Sequence, residues 1–442
     1  MKYLFPLFII LVALTNAWPQ KSDDVLATAT GHTFRVSDLS AETQKDIANL
    51  PVTVPKGRTS LLEQLVNQKM LALEAKSRGL STGKLIWDER AKVAAPTEAE
   101  IKKVYDDHQA EMNGTTIDQA RPQIITYLRQ IAGQKLISTL LEQLKAKYKP
   151  VNGKDVNAAG LAPTDIVATV NGQPITDKEF EDFVRVPLWE ARSELADNVL
   201  AELHERIYDT LVTDEAKAQG VDAGTLIGKE VTNKMKDFTD AERVGLNQAF
   251  ADRLNSKYQV KIIYSAPEAP LENVTPDDDP ATGPANAPIT IIMFSDFQCS
   301  ACSGTHPLLK QAMAAYPGKI RFVVRDFPLE AIHQNGFQAA RAAGAANLQG
   351  KFFEYIEILY KNQDHLDVDS LKKYAAQIGL NAQQFEVDFN SEKVAAEIRK
   401  DMADGEALNI GSTPTIFVNG KRVRNLSVEG FKTAIDKALA GR

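Results

Sequence analysis

Two hydrophobic periods divide the chain. As far as about residue 264, apolar positions recur every three or four residues, the spacing of helices that bury one face. Leu61, Leu62, Leu65, Val66, Met70 and Leu73 follow this period, and Gly79 ends the helix they predict. Pro96-Thr97-Glu98-Ala99-Glu100 starts another helix, and Ile124 to Lys147 reads as a long amphipathic one. From Pro288 the pattern changes. Pro288 to Phe294 (PITIIMF) is a short β-branched run and predicts a buried parallel strand. A turn leads to Cys299 and then a helix to about Tyr316, with Ile320 to Val324 as the next strand. Helical spacing covers 339–346, 352–360, 369–378 and 394–407. Thr415 to Val418 is a strand, Asn419-Gly420 a hairpin turn, and Val428 to Leu439 a closing helix.

The helical part repeats itself. Ala27-Thr28-Ala29-Thr30-Gly31 matches Ala168-Thr169-Val170-Asn171-Gly172 at an offset of 141. The same offset aligns Glu74-Ala75-Lys76 with Glu215-Ala216-Lys217, and Leu85-Ile86 with Leu226-Ile227. Leu144 to Tyr148 matches Leu254 to Tyr258 at 110, so the second copy is shorter by about thirty residues. Each copy opens with a short strand, a turn at Gly31 or Gly172 and a second extended piece. Ser37-Asp38 or Thr176-Asp177 is then the expected helix cap. Residues 24–150 and 163–264 are therefore expected as two related modules. The stretch 265–287, rich in Pro, Asp and Ala, is expected as a semi-extended linker before a domain over 288–442.

Composition narrows the setting. A chain of 442 residues is too long for one ordinary core. A net charge of −7 leaves no basic footprint, so nucleic acid is not expected as a partner. Lys2, the apolar run Tyr3 to Leu14 and Thr15-Asn16-Ala17 make an export signal over 1–17. The expected location is periplasmic or otherwise exported, the alternative being an uncleaved N-terminal membrane anchor facing the periplasm.

The only two cysteines, Cys299 and Cys302, stand three positions apart. A bridge so short restrains little of an unfolded chain, so a structural staple is disfavoured. In an exported protein the pair reads as redox-active or metal-binding. A tetrahedral metal site needs further ligands, and no second cysteine pair or His-x-x-x-His is present. No cofactor and no metal are expected beyond the Cys299–Cys302 disulfide itself.

"NAPITIIMFSDFQCSAC" at 286–302, "AARAAGAANLQGKFFEYIEILYKNQ" at 339–363 and "GSTPTIFVNG" at 411–420 resemble the DsbA-like branch of the thioredoxin fold. "VNGQPIT" at 170–176 and "LLEQLVNQKMLALEAKSRG" at 61–79 resemble the N-terminal chaperone region of the SurA and parvulin-type prolyl isomerase families. The fold class expected is thus multidomain. A mostly α, SurA-like region of two modules precedes an α/β thioredoxin-like domain with a DsbA-type helical insertion.

The resemblance implies a protein-disulfide oxidoreductase or isomerase. Cys299 would be the attacking thiolate, stabilised at a helix N-terminus, and Cys302 the resolving thiol. Pro414 would be a cis proline, and Thr413 would pair with the client chain. Unfolded or misoxidised proteins are the implied clients, a thiol-redox protein the electron partner, and a homodimer the assembly. The N-terminal modules would hold clients or dimerise. The alternative is a periplasmic chaperone with a vestigial redox domain. Two departures from the family pattern bear on mechanism. The position six before the nucleophile, often a buried acid, is Met293, and the Ser-Ala dipeptide lacks a histidine. Asp296 reads as a turn residue and His306 as a solvated helix residue.

Overall fold

The computed structural model describes residues 21–111 and 114–441. The export signal expected over 1–17 lies outside them. The first copy opens with a hairpin, β1 (Val25–Ala29) and β2 (His32–Arg35), turning at Gly31, where φ is 82°. A short 3-10 turn over Val36–Asp38 follows. It displaces the cap expected at Ser37-Asp38: Ser40 Oγ accepts from Thr43 N at the start of α1 (Ala41–Ser77). This helix runs through Pro51 and Pro55 and is much longer than the stripe ending at Gly79. Then come α2 (Thr82–Arg90), α3 (Glu98–Asp107), α4 (Ile117–Tyr148) and β3 (Val151–Asn152). Thr97 and Glu100 form a reciprocal capping box on α3.

The second copy repeats the order with β4 (Ile166–Val170), β5 (Gln173–Thr176), α5 (Asp177–Ala218), α6 (Ala223–Glu230), α7 (Asp240–Lys257) and β6 (Lys261–Ile262). Here Thr176 Oγ1 does cap the helix, accepting from Glu179 N.

The compact units cut across these copies. One joins residues up to 59 with 185–268, and the other joins 60–184 with 269–442. Each hairpin is completed by the end of the other copy. β6 pairs with β1 through Thr28 and Lys261, and β3 pairs with β4 through Thr169 and Val151, the same register under the repeat offsets. Thr30 N donates to Tyr258 O and Asn171 N to Tyr148 O, each at 2.7 Å.

A buried carboxylate recurs as well. Glu74 accepts from Lys147 Nζ (2.6 Å) and Tyr148 OH (2.9 Å). Glu215 accepts from Lys257 Nζ and Tyr258 OH. The lysine bond is the leading cause that holds Glu74 down at about 2, and it lowers Glu215 too. The two copies therefore share a fold and exchange their halves. Residues 21–150 made alone lack the third strand of their hairpin and the core partners Val199, Leu203, Ile207 and Leu211. We expect that fragment to be unfolded or oligomeric by circular dichroism and size-exclusion chromatography, and residues 21–268 to be a folded monomer or dimer.

The third part is built on a five-stranded sheet. Its elements are β7 (Ala281–Thr282), β8 (Ile289–Ser295), α8 (Ser300–Met313), β9 (Ile320–Asp326), α9 (Gly336–Leu348), α10 (Phe352–Lys361), α11 (Val368–Gln377), α12 (Ala382–Phe389), α13 (Glu392–Ala407), β10 (Thr415–Val418), β11 (Lys421–Arg422) and α14 (Val428–Ala440). The strand order is β11-β10-β8-β9-β7, with β8 and β9 parallel and the other pairs antiparallel. One face buries Ile289, Ile291 and Met293 against α8, α9, α10 and α14. The other buries Ile292, Phe294, Val323 and Phe417 beneath Ile410 and Met402. Alternation along each strand assigns these residues to their faces.

The stretch 265–287 differs from a free linker. β7 pairs with the edge of β9, Glu272 N donates to Gly420 O, and the Asp279 side chain is buried. Asp279 is held by a cation on the sheet: Arg325 contacts Asp279 (2.9 Å) together with Asp401 (2.6 Å) and Asp404 (2.6 Å) of α13, and lies over the Phe294 ring.

Candidate functional site

β8 delivers a tight turn, Ser295 to Gln298, to the N-terminus of α8. Asp296 is in this turn, as expected, but it is buried and acts as its organiser. Its carboxylate accepts from Gln298 N (2.8 Å), Leu329 N (2.7 Å) and His333 Nδ1 (2.7 Å). Gln363 from the end of α10 donates to the carbonyls of Phe297 (2.9 Å) and Cys299 (2.8 Å). The segment 327–335 and the turn thus fix each other, and together they fix the backbone at Cys299.

Cys299 is the N-cap residue of α8, with extended φ and ψ of −77° and 119°. It is only 8% exposed, and Cys302, one turn in, is fully buried. Both are free thiols in this structure. The sulfur of Cys299 faces unpaired helix N–H groups, the positive end of the helix dipole. Its pKa falls to about 5, first because the Cys302 thiol donates to it, then through Thr413 and the N–H groups of Cys302 and Ala301, all against the cost of burial. Cys302 moves far the other way, because burial and the adjacent Cys299 sulfur both disfavour its charge. One sulfur is therefore a ready nucleophile, and its neighbour is a held proton donor.

Thr413 and Pro414 close the site from the β10 side. The Thr413–Pro414 peptide is cis. The carbonyl of Thr413 lies 3.3 Å from Cys299 Sγ and accepts from it in the thiol form. The Thr413 hydroxyl is buried with no conventional hydrogen-bond partner, and it adds a contact that stabilises the thiolate. The structure thus brings Cys299, Cys302, Thr413 and Pro414 to one place. Replacing Thr413 with valine removes that hydroxyl and keeps the shape. The Cys299 titration, followed by thiolate absorbance, is expected to rise by about half to one unit, as for loss of one hydrogen bond of about 1 kcal/mol.

Several neighbours were not evident from spacing. His333 is 37 positions from its partner Asp296 and is raised by it, with the Cys299 charge adding in the same sense. A charged His333 favours the thiolate in turn. Ser295 Oγ lies 2.6 Å from Tyr360 OH and also contacts the Cys302 thiol. His306 corrects its reading as a solvated residue: it is 3% exposed, packs on Tyr360 and Phe322, and meets Glu357 at 3.1 Å. Burial is the leading cause of its lowered pKa. The helical period of α8 simply turns position 306 inward with Cys302 and Leu309.

Residues 275–437 match the family model described as thioredoxin. The chain is 37% identical over 156 residues to the Na(+)/H(+) antiporter NhaA 1 of Mycolicibacterium gilvum (strain PYR-GCK), which covers 35% of this chain and 25% of that protein. It thus spans about a quarter of the length of the curated relatives it matches. Among the described residues no helix is long and apolar enough to cross a membrane. A thioredoxin-like oxidoreductase from Silicibacter pomeroyi DSS-3 is similar at 25% identity, over 37% of this chain and 94% of that one, with a TM-score of 0.35. Oxidised BdbD from Bacillus subtilis is similar at 22%, over 40% and 100%, with a TM-score of 0.36. The C-terminal part of this mostly helical, multidomain chain is a thioredoxin-like domain.

Proposed function

We propose that the chain is a thiol–disulfide oxidoreductase that passes the Cys299–Cys302 disulfide to reduced, exported proteins. The observation that carries this reading is the placement of Cys299 at the N-cap of α8, one turn before the fully buried Cys302 and 3.3 Å from the carbonyl of the cis Thr413–Pro414 peptide. A thiolate held near pKa 5 stabilises the dithiol form over the disulfide, and that makes the disulfide oxidising. The sign follows from linkage. A folded thiol at about 5 against an unfolded one near 8.5 adds stability to the dithiol form above pH 8.5. That stability declines as pH falls and is gone below pH 5. At pH 7 it amounts to about 2–3 kcal/mol, and the disulfide form has none of it.

Electrons run from two client thiols to the Cys299–Cys302 bond, and a second thiol-redox protein must then reoxidise the pair. The exported location, that redox partner and a homodimeric assembly belong to this proposal. So does the role of the N-terminal modules in holding clients. Support for a client surface comes from a cleft of about 680 Å³ lined by Trp87, Arg90, Val93, Thr126 and Ile332. Ile332 adjoins His333, which is bonded to the turn before Cys299.

The test mixes the oxidised chain with a reduced, unfolded protein of several cysteines. Client disulfides should appear in step with the dithiol form of the chain, one for one by alkylation and mass. Client oxidation no faster than in buffer would reject the proposal.

A further inference from the structure

Asp326 ends β9 and has no part in the chemistry described so far. Alternate residues of β9 face opposite sides of the sheet. Ile320, Phe322 and Val324 join the core that holds Cys302 and Tyr360, whereas Val323 joins the opposite one. This alternation sends Arg325 onto the Phe294 ring and brings Asp326 to the Cys302 side. In the parallel ladder Asp326 lies beside Ser295, whose hydroxyl touches the Cys302 thiol and Tyr360 OH. Asp326 Oδ1 is sealed from solvent and makes no hydrogen bond. An acceptor left so is costly unless something needs it.

We infer that Asp326 is the final acceptor of the proton that leaves Cys302 in the resolving step. This rests on the disulfide-exchange reading above. Met293 occupies the place on β8 from which a carboxyl could have come, and the neighbouring strand supplies one instead. The step belongs to reoxidation of the pair, with a sulfur of the oxidised redox protein (or of glutathione) first bonded to Cys299. The Cys302 proton passes to the Asp326 carboxylate, and the Cys302 sulfur attacks Cys299 Sγ. The bond from Cys299 to the redox protein breaks as the Cys299–Cys302 bond forms. The pair is oxidised by two electrons, and the redox protein's sulfur leaves as a thiolate that takes a proton from water.

The surroundings favour a carboxyl that takes up a proton readily. Asp401 of α13 and Asp296 of the turn face Asp326 with negative charge and Arg325 with positive charge, and Tyr360, whose hydroxyl meets Ser295, feels the charge of both Asp326 and Cys302. Burial first, and the two carboxylates next, push Asp326 well above the ordinary carboxylate range. The Asp401 carboxylate also accepts from Asp326 N at 2.8 Å, which fixes the backbone.

The experiment loads glutathione onto Cys299 of the full chain and follows its release in a single turnover. Asp326→Asn is expected to slow release at pH 7 by at least tenfold, within the roughly 10²–10⁴-fold range of general-base assistance. Its rate should climb about tenfold per pH unit up to pH 9, as hydroxide takes over, while the wild type levels off. The Cys299 titration should stay where it was. Release at the wild-type rate with the wild-type pH profile overturns the inference, as does a loss equal at every pH. If the variant does not fold, infrared spectra of the wild-type chain decide. A buried aspartic carboxyl band must shift between dithiol and disulfide forms, and an unchanged band overturns the inference. A wild type that releases no glutathione at all defeats the exchange reading itself. Release by the wild type and the variant alike defeats only Asp326.

Discussion

Cys299→Ser is expected to lose disulfide exchange by at least about 10³-fold, because the nucleophile itself is gone. A serine hydroxyl at the same N-cap receives the same helix N–H groups, but it stays protonated and forms no bond to sulfur. Cys302 cannot take over, since it is fully buried and its charge is strongly disfavoured. Cys302→Ser fails differently. Cys299 can still attack a disulfide, but nothing resolves the product, so mixed disulfides with disulfide-bonded clients accumulate. Non-reducing electrophoresis and mass spectrometry separate the outcomes: no adduct for Cys299→Ser, a stable adduct for Cys302→Ser. Turnover retained by the first variant, or adduct absent from the second, contradicts the assigned roles.

The second large effect is on stability. Arg325 is 2% exposed and is shared by Asp279, Asp401 and Asp404. Arg325→Met keeps the bulk and removes the charge, leaving buried carboxylates facing one another. The expected loss is about 3–5 kcal/mol, the usual penalty for stranding a buried charge. It should appear as an earlier denaturation midpoint. The pH dependence has a definite sign. Burial, then repulsion from Asp401, already pushes Asp279 up to about 9, and burial raises Asp401. Groups raised on folding favour the native state below their unfolded values, near 3.9, and lose that contribution as pH rises through their folded values. Without Arg325 the carboxyls rise further. The deficit of the variant should therefore be small near pH 4 and largest near pH 9. A deficit independent of pH would mean that Arg325 acts through packing alone.

Local signals made part of this molecule readable from its sequence. The β-branched run before Cys299, the helix after it and Thr413-Pro414 before a strand each have a local cause, and each occupies the place its pattern predicts. The repeat was readable too, because Glu74, Lys147 and Tyr148 recur as Glu215, Lys257 and Tyr258. What was hidden depends on pairing between distant segments. An exchanged hairpin and an unexchanged one have the same hydrophobic pattern, so the repeat offsets say nothing of which copy completes which sheet. The burial of Asp279 was hidden because its partner, Arg325, is more than forty positions away. α12 was missed as a helix, since Asn381 to Gln384 reads as a polar turn and caps the helix instead. Asp326 and His333 gain their meaning only from the register of β9 on β8 and from the turn at Asp296.

A redox-active, oxidising Cys299–Cys302 pair can be tested by equilibrating the full chain with reduced and oxidised glutathione, then counting free thiols by alkylation and mass. The expected result is a single two-electron transition between dithiol and disulfide, at a potential nearer the −120 mV of strong oxidants than the −270 mV of thioredoxin. A pair that stays as two thiols across the whole range, or one with a potential at or below −270 mV, would contradict it.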